Sequence, residues 1–320
     1  MKNIQYLFLF FIIFSSCKEI NKTALDKLNI EKTIDSLEVF GENIISTSLF
    51  ERDFALSPNR DEIIFTLGEF KQKKRFLVHL KKKNNLWSKP SILNISGEYQ
   101  DIEPFFSIDG TKLFFASNRP INNNSSRKDY NIWFSEKVDN KWNNPIALDT
   151  TINTTKDEFY PSVSSNGNLY FTATRKDGIG TEDIFISKFI NGRYSKPKVL
   201  SENINSKTYE FNAFVNADEN LLIFSSFGRK DGFGGGDLYF SKKDAQGNWQ
   251  KAQNMGKEIN SSALDFCPFL DEKTKNLYFS SERSNINKKT FTVKDLVNYA
   301  NSIENGMSNI YRVKFNANSK

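Results

Sequence analysis

Alternating apolar and polar residues divide residues 158–200 into four short strands. Between the first two strands, Asn166-Gly167 supplies the positive φ that a tight hairpin requires, and Asn191-Gly192 marks a second turn. The predicted strands are residues 162–164, 169–173, 183–188 and 197–200. Four antiparallel strands within about forty to fifty residues are typical of one blade of a β-propeller.

The same pattern occurs five times along the chain. Third strands, which are the easiest to align, are predicted at residues 76–80, 132–136, 184–188, 238–242 and 310–314. Only four copies are followed by a fourth strand, because the chain ends shortly after the fifth third strand. Residues 37–46 align with residues 197–206, so we expect the missing outer strand to come from the N-terminal part of the chain.

These repeats predict an all-β fold, a five-bladed propeller of four-stranded antiparallel blades. The N-terminal strand closes the ring, which removes the open sheet edges that promote aggregation. We place one propeller domain at residues 37–320, with one helical insertion in blade five. The predicted blades cover residues 51–95, 101–150, 158–202, 210–257 and 265–315, the last completed by 37–46.

The N-terminus has the pattern of a processing signal. A basic start precedes an apolar run at residues 6–14 that is too short to span a membrane stably, and Ser15-Ser16-Cys17 follows. This resembles a bacterial lipoprotein signal. The resemblance implies that residues 1–16 are removed and that Cys17 carries lipid. The polar residues that follow, with scattered apolar positions, predict a tether over residues 17–36, for which a helix around residues 24–37 is an alternative. An ordinary secretory signal is the alternative.

Two further motifs point to a family. Residues 101–110, DIEPFFSIDG, lead through a strand to Ser117-x-Arg119, which resembles the TolB-type WD-like propeller repeat. Residues 229–238, RKDGFGGGDL, resemble the version found in envelope proteins of Bacteroidetes. Such propellers often accompany an OmpA-like domain, and none follows here. Blade one lacks the arginine of the motif, and Ala213 replaces its proline in blade four.

Composition excludes several kinds of site. The 320 residues carry a formal charge of +6, but the lysines are scattered or lie in turns such as 71–74 and 81–83, which favours a solvated surface over nucleic-acid binding. One histidine, His79, and two cysteines are too few for a zinc site of those ligands. We therefore predict no metal, no cofactor and no nucleic-acid partner.

Charged residues repeat at one end of every blade. The first strand of every blade begins with an acid, and in blades two to five the second strand ends near an arginine and the third strand opens with Asn or Asp. The acids are Glu51, Asp101, Glu158, Glu210 and Asp265. The arginines are Arg119, Arg175, Arg229 and Arg283. The third-strand residues are Asn131, Asp183, Asp237 and Asn309. A ligand site over the channel is one interpretation; because catalysis needs acids in unlike environments, a structural clasp repeated in each blade is favoured.

The insertion between the last two blade-five strands is the largest departure from the repeat. Thr292 is predicted to cap a helix, with Gly306 ending it. The residues that recur at helical spacing are Val293, Leu296, Val297, Ala300 and Ile303. The candidates for binding a partner are Val293, Leu296, Val297, Tyr299 and Ile303. Either this helix buries its apolar stripe on its own blade, or it is a lid or a docking element for another protein.

The leading functional hypothesis is a lipid-anchored envelope protein, monomeric and attached to the outer membrane through its lipid alone. It would bind an envelope protein or a polysaccharide through the face that carries the loops. The alternative is a carboxylate-dependent glycan-active enzyme, because five-bladed propellers also house such enzymes. Glu103 and Asp53, at matching positions of blades two and one, are its candidate acids.

Overall fold

Five antiparallel sheets follow one another along the chain, as the repeats predicted. The computed structural model describes residues 28–121, 127–286 and 288–317. Blade one contains Phe50–Leu56, Glu62–Gly68, Arg75–Lys83 and Ser91–Ile92. Blade two contains Asp101–Phe106, Lys112–Ser117, Asn131–Val138 and Ile146–Ala147. Blade three contains Glu158–Val163, Leu169–Ala173, Asp183–Ser187 and Lys198–Val199. Blade four contains Tyr209–Val215, Leu221–Phe227, Asp237–Lys242 and Gln253–Asn254.

Blade five joins the two ends of the chain. It contains Asp265–Asp271, Asn276–Ser281 and Asn309–Lys314, and Glu38–Val39 is its outer strand. Glu38 pairs with Arg312 and Val39 with Tyr311. The predicted closure is therefore confirmed, although only two residues of the predicted 37–46 segment form strand. Beyond them the chain turns at Gly41, whose positive φ of 65° and close contact with Leu28 favour glycine.

Short hairpins lie between strands three and four of the first three blades. Leu86–Trp87 pairs with the third strand of blade one, and Lys141–Trp142 does the same in blade two. In blade three, Phe189–Ile190 and Arg193–Tyr194 pair with each other in a separate ribbon. Trp87 and Trp142 are buried. These aromatic side chains therefore pack into the spaces between blades.

Alternating strand direction gives the disc two different faces. The first strands contact one another around the axis. Because adjacent strands are antiparallel, the turns between strands one and two and between strands three and four lie on one face, here called the turn face. The loops between strands two and three, and the connections between blades, lie on the opposite face, here called the loop face.

The described part of the predicted tether packs on the turn face. Leu28, Ile30 and Ile34 are buried, and the indole nitrogen of Trp87 donates to the Leu28 carbonyl. Arg60 donates to the Ile30 carbonyl. Residues 28–37 form no helix, so the helix considered over 24–37 is absent from its described portion. The signal segment 1–16 and Cys17 lie outside the described residues.

The helical insertion is short. Among the described residues, the α-helix is Val293–Ala300, on the loop face. The described ranges contain no helix of sufficient length and apolarity to cross a membrane.

Candidate functional site

A β-bulge in every first strand places one residue beside the axis. The strand register shifts at the same position in all five blades. Each bulged residue has a left-handed φ between 49° and 61°, which is uncommon for residues other than glycine. We call these five residues the axial ring: Asp53, Glu103, Tyr160, Asn212 and Cys267. All five are buried, so their identities determine what the centre of the propeller contains.

Arg52 connects three members of the axial ring. Its Nε lies 2.8 Å and 2.9 Å from the two carboxylate oxygens of Asp53. A terminal nitrogen donates to Glu103 at 2.8 Å and to the sulfur of Cys267 at 3.4 Å. The guanidinium also lies 5.0 Å from the ring centroid of Phe266. One cation thus balances two carboxylates that are only 1% and 4% exposed.

Glu103 is held from several sides. Its second oxygen accepts the Tyr160 amide at 2.7 Å, and Asn212 donates to the first oxygen at 3.4 Å. Its own amide donates to Asp53 and to Thr66. Burial raises the pKa of Glu103 to about 7, against the opposing effect of the Arg52 charge. Every oxygen of the Asp53 and Glu103 carboxylates already accepts a hydrogen bond within the protein.

The predicted arginine and acid meet in blades two to five. The shortest nitrogen–oxygen distances are 2.5 Å for Arg119–Asp101, 3.6 Å for Arg175–Glu158, 2.9 Å for Arg229–Glu210 and 2.6 Å for Arg283–Asp265. We call each of these pairs a clasp. All four acids are fully buried. Each also accepts a hydrogen bond from a hydroxyl group in the connection that precedes its blade, as Glu158 does from Thr154.

Each clasp also joins two blades. Every arginine donates to a carbonyl of the connection arriving from the previous blade, namely that of Ile95, Ile152, Ile204 or Ile259. Every guanidinium also lies over two aromatic rings of its own blade, as Arg229 lies over Phe224 and Tyr239. The clasp therefore fixes the place where the chain enters a new blade.

Blade one replaces the arginine. Glu51 accepts hydrogen bonds from the Thr47 hydroxyl at 2.5 Å and from the side-chain amide of Asn309 of blade five at 2.9 Å. Burial raises the pKa of Glu51 to about 6. Glu51 therefore shares the position of the other acids but has only neutral hydrogen-bond donors.

The other third-strand residues shape their own loops. Asp183 accepts the amides of Ile179 and Gly180, and Asp237 accepts the amide of Phe233. Asn131 donates to Asp129. Of the four third-strand residues, Asn309 is the one with a hydrogen bond to a first-strand acid.

The apolar stripe of the blade-five helix faces solvent. Thr292 caps the helix together with Asp295, as predicted for its start. Val293 is 82% exposed, Leu296 57% and Val297 54%, so burial of the stripe on its own blade is wrong for these residues. Tyr299 and Ile303 are half-buried, and the Tyr299 hydroxyl lies 3.1 Å from that of Ser284.

Sequence reasoning missed a groove of about 590 Å³ between blades two and three. Phe114 and Phe134 line one side of it, and Phe189 and Tyr194 line the other. Tyr194 stands where the other three fourth strands are preceded by tryptophan. The tyrosine in place of tryptophan was the sequence signal for this groove, because the smaller side chain fills less of the space between the blades.

Comparisons with known proteins establish no family. No family model matches the chain, and none of the curated proteins does. Among solved structures, a thermostable family-43 glycoside hydrolase is 10% identical with a TM-score of 0.53, covering 86% of this chain and 93% of that one. An α-L-arabinofuranosidase from Podospora anserina is 11% identical with a TM-score of 0.50, covering 86% and 92%. A protein assigned as TolB from Agrobacterium tumefaciens is 11% identical with a TM-score of 0.48, covering 75% and 73%.

These likenesses concern the fold. TolB proteins are among the structures similar to this chain, as the repeat motifs suggested, and the five sheets make it a β-propeller. Glycoside hydrolases share the architecture as well. One fold thus accommodates both functional hypotheses, and the choice depends on the residues of this chain.

Proposed function

We propose that this protein is a lipid-anchored binding module of the cell envelope whose loop face binds another protein. The observation that carries the proposal is the exposed stripe of Val293, Leu296 and Val297. Three large apolar side chains in one turn and a half of a capped helix form the kind of surface that a partner protein covers.

Neighbouring side chains enlarge the exposed apolar surface. Phe291 is 42% exposed and Ile286 38%, both in the same insertion. Lys289 and Lys294 are exposed beside the stripe, whereas Lys288 pairs with Asp295. The surface therefore suits a partner with an apolar patch that is flanked by acidic residues.

Photo-crosslinking tests this proposal. A photoreactive amino acid in place of Val293 should give one discrete adduct with an envelope protein, identified by mass spectrometry. The same amino acid at Asn298, an exposed polar position of the same helix, is the matched control. Leu296→Lys should abolish the adduct without lowering the melting temperature, because the helix buries no side chain. Adducts of equal yield from both positions would reject the helix as the docking element.

A glycan-active enzyme is the second candidate, for which one arrangement speaks. Glu103 and Asp53 come from adjacent blades and lie together at the axis, and Glu103 has a pKa of about 7, which suits a general acid. Their hydrogen bonds with Arg52 count against this role because a glycosidic oxygen would have to displace them. Hydrolysis of a polysaccharide panel that is lost in Glu103→Gln would favour the enzyme; a panel left intact by the unmodified chain would favour binding.

A further inference from the structure

The fold collects basic residues that are scattered in the sequence. The turns between strands three and four, taken with the ends of the third strands that lead into them, occupy residues 80–90, 136–142, 187–197 and 242–251, all on the turn face. They contain twelve basic residues and three acidic ones. Some of the lysines pair with acids of neighbouring turns, as Lys137 pairs with Glu62 and Lys243 with Glu219.

Seven of these basic residues remain exposed and form no ion pair within the described part of the chain. They are Lys83, Lys89, Lys141, Lys188, Arg193, Lys196 and Lys251. They come from four blades, so they follow the rim of the turn face. We call this set the basic rim. A rim of like charge attracts an extended anionic surface more strongly than a single small anion.

Exposed apolar side chains lie within the same turns. Leu86 is 37% exposed, Val138 49%, Phe189 41% and Ile190 54%. Val138 ends the third strand of blade two, and the other three lie between strands three and four of blade one or blade three. We call these four side chains the apolar tips. Apolar side chains flanked by lysines suit the boundary between lipid headgroups and acyl chains.

The N-terminal segment leads to the same face. Leu28 is buried on the turn face against Trp87, and it lies eleven positions after Cys17, with ten residues between them. A fully extended chain of that length spans about 40 Å at most. Lipid on Cys17 would therefore hold the turn face near a bilayer.

We propose that the turn face rests on an anionic phospholipid surface through the basic rim and the apolar tips. The loop face, with the blade-five helix, then points away from the bilayer towards its protein partner. This orientation rests on the proposed lipid anchor, but the electrostatic contact itself does not require acylation.

Vesicle binding tests the contact separately from the anchor. Residues 17–320 contain the whole ring, because all five sheets and the closing strand lie between residues 28 and 317. This chain with Cys17→Ser should co-sediment with vesicles of phosphatidylcholine and phosphatidylglycerol and bind pure phosphatidylcholine at least ten-fold more weakly. Raising the salt concentration from about 0.05 M to about 0.5 M should release it.

Charge reversal locates the surface. Lys83→Glu, Lys141→Glu and Lys188→Glu together should weaken binding to the anionic vesicles at least ten-fold. The matched control reverses Lys73, Lys176 and Lys230, three exposed lysines of the loop face, and should change binding less than two-fold. Equal losses in both variants, no binding to anionic vesicles, or equally tight binding to soluble heparin would overturn the proposal. Failure of acylation or of crosslinking would leave this result unaffected.

Discussion

The buried acids at the clasp position and the residues of the axial ring lie two residues apart in the same five first strands, and they differ in how far they repeat. At the clasp position every blade has a buried acid: Glu51, Asp101, Glu158, Glu210 and Asp265. At the axial position every blade has the same bulge but a different side chain. Where backbone and side chain both repeat, as at the clasp position, the residue has the same structural role in each blade. Where only the backbone repeats, the side chain differs from blade to blade and has no role common to all five.

Removing Arg52 should give the largest loss of stability and would sharpen this comparison. Arg52→Met leaves Asp53 and Glu103 buried without their cation, which we expect to lower the free energy of unfolding by about 3–5 kcal/mol. Urea denaturation measures the change. Arg193→Met, at an exposed turn, should change it by less than about 0.5 kcal/mol.

A triple variant distinguishes loss of charge balance from a general loss of packing in the Arg52 variant. Arg52→Met with Asp53→Asn and Glu103→Gln removes all three charges and should recover part of the lost stability. If the triple variant is less stable than Arg52→Met alone, charge balance is not what holds the axial ring.

Removing a clasp arginine should cost less, because the acid keeps hydroxyl and amide donors. We expect Arg229→Ala to lower the free energy of unfolding by about 2–3 kcal/mol. Arg175→Ala should cost less, because its shortest distance to Glu158 is 3.6 Å and its Nε donates no hydrogen bond to any residue that the structure describes. Both should leave partner crosslinking unchanged. Loss of crosslinking at an unchanged melting temperature would make the clasps part of a binding site.

Counted for each single acid, a dependence of stability on pH is the smallest expected effect, and it concerns both sets of acids. Burial raises the pKa of Glu103 to about 7, of Glu158 to about 7 and of Glu51 to about 6. Their ordinary value in the unfolded chain is near 4.5, so the folded state binds more protons between those values. The free energy of unfolding should therefore rise as pH falls from about 7.5 to 5, by about 1–2 kcal/mol for each of the three acids and by several kcal/mol for all three together.

The opposite sign applies to Glu62. Burial opposes its ionisation, but hydrogen bonds from His79 and Lys137 lower its pKa to about 2. Its stabilising contribution is present above about pH 4.5 and is lost as pH falls towards 2. Urea denaturation across this range should show a maximum near pH 5. Glu103→Gln should reduce the rise from pH 7.5 to 5, whereas Glu136→Gln, at an exposed site, should not. A flat profile would contradict both assignments.

Local patterns predicted the architecture because each blade repeats its own turns and alternation. The start of the blade-five helix was predictable for the same reason, since Thr292 and Asp295 lie within one turn. The exposure of its stripe was not, because the periodicity of an apolar face does not show what covers it. Likewise, the basic rim exists only once four separate turns are brought to one face.

The axial ring was missed for a different reason. A bulge changes which way a side chain points, and alternation alone does not reveal it. One signal was present in the aligned blades: Arg52 is the charged residue at a position that Ile102, Phe159, Phe211 and Phe266 occupy elsewhere. Glu103 and Asp53 stand out in the sequence as candidate acids. The cation between them is Arg52, which lies at a different position of the repeat.

The packing of residues 28–36 determines how the ring responds to mechanical force. Tension applied at the N-terminus would first meet the hydrogen bonds from Trp87, Arg60, Asn276 and Arg312 to the backbone of residues 28–32. Only after these rupture would the load reach Glu38–Val39, a strand of two residues. The hydrogen bonds of residues 28–32 thus bear the load first, so that a pull on the N-terminus does not directly separate the closing strand from blade five and open the propeller.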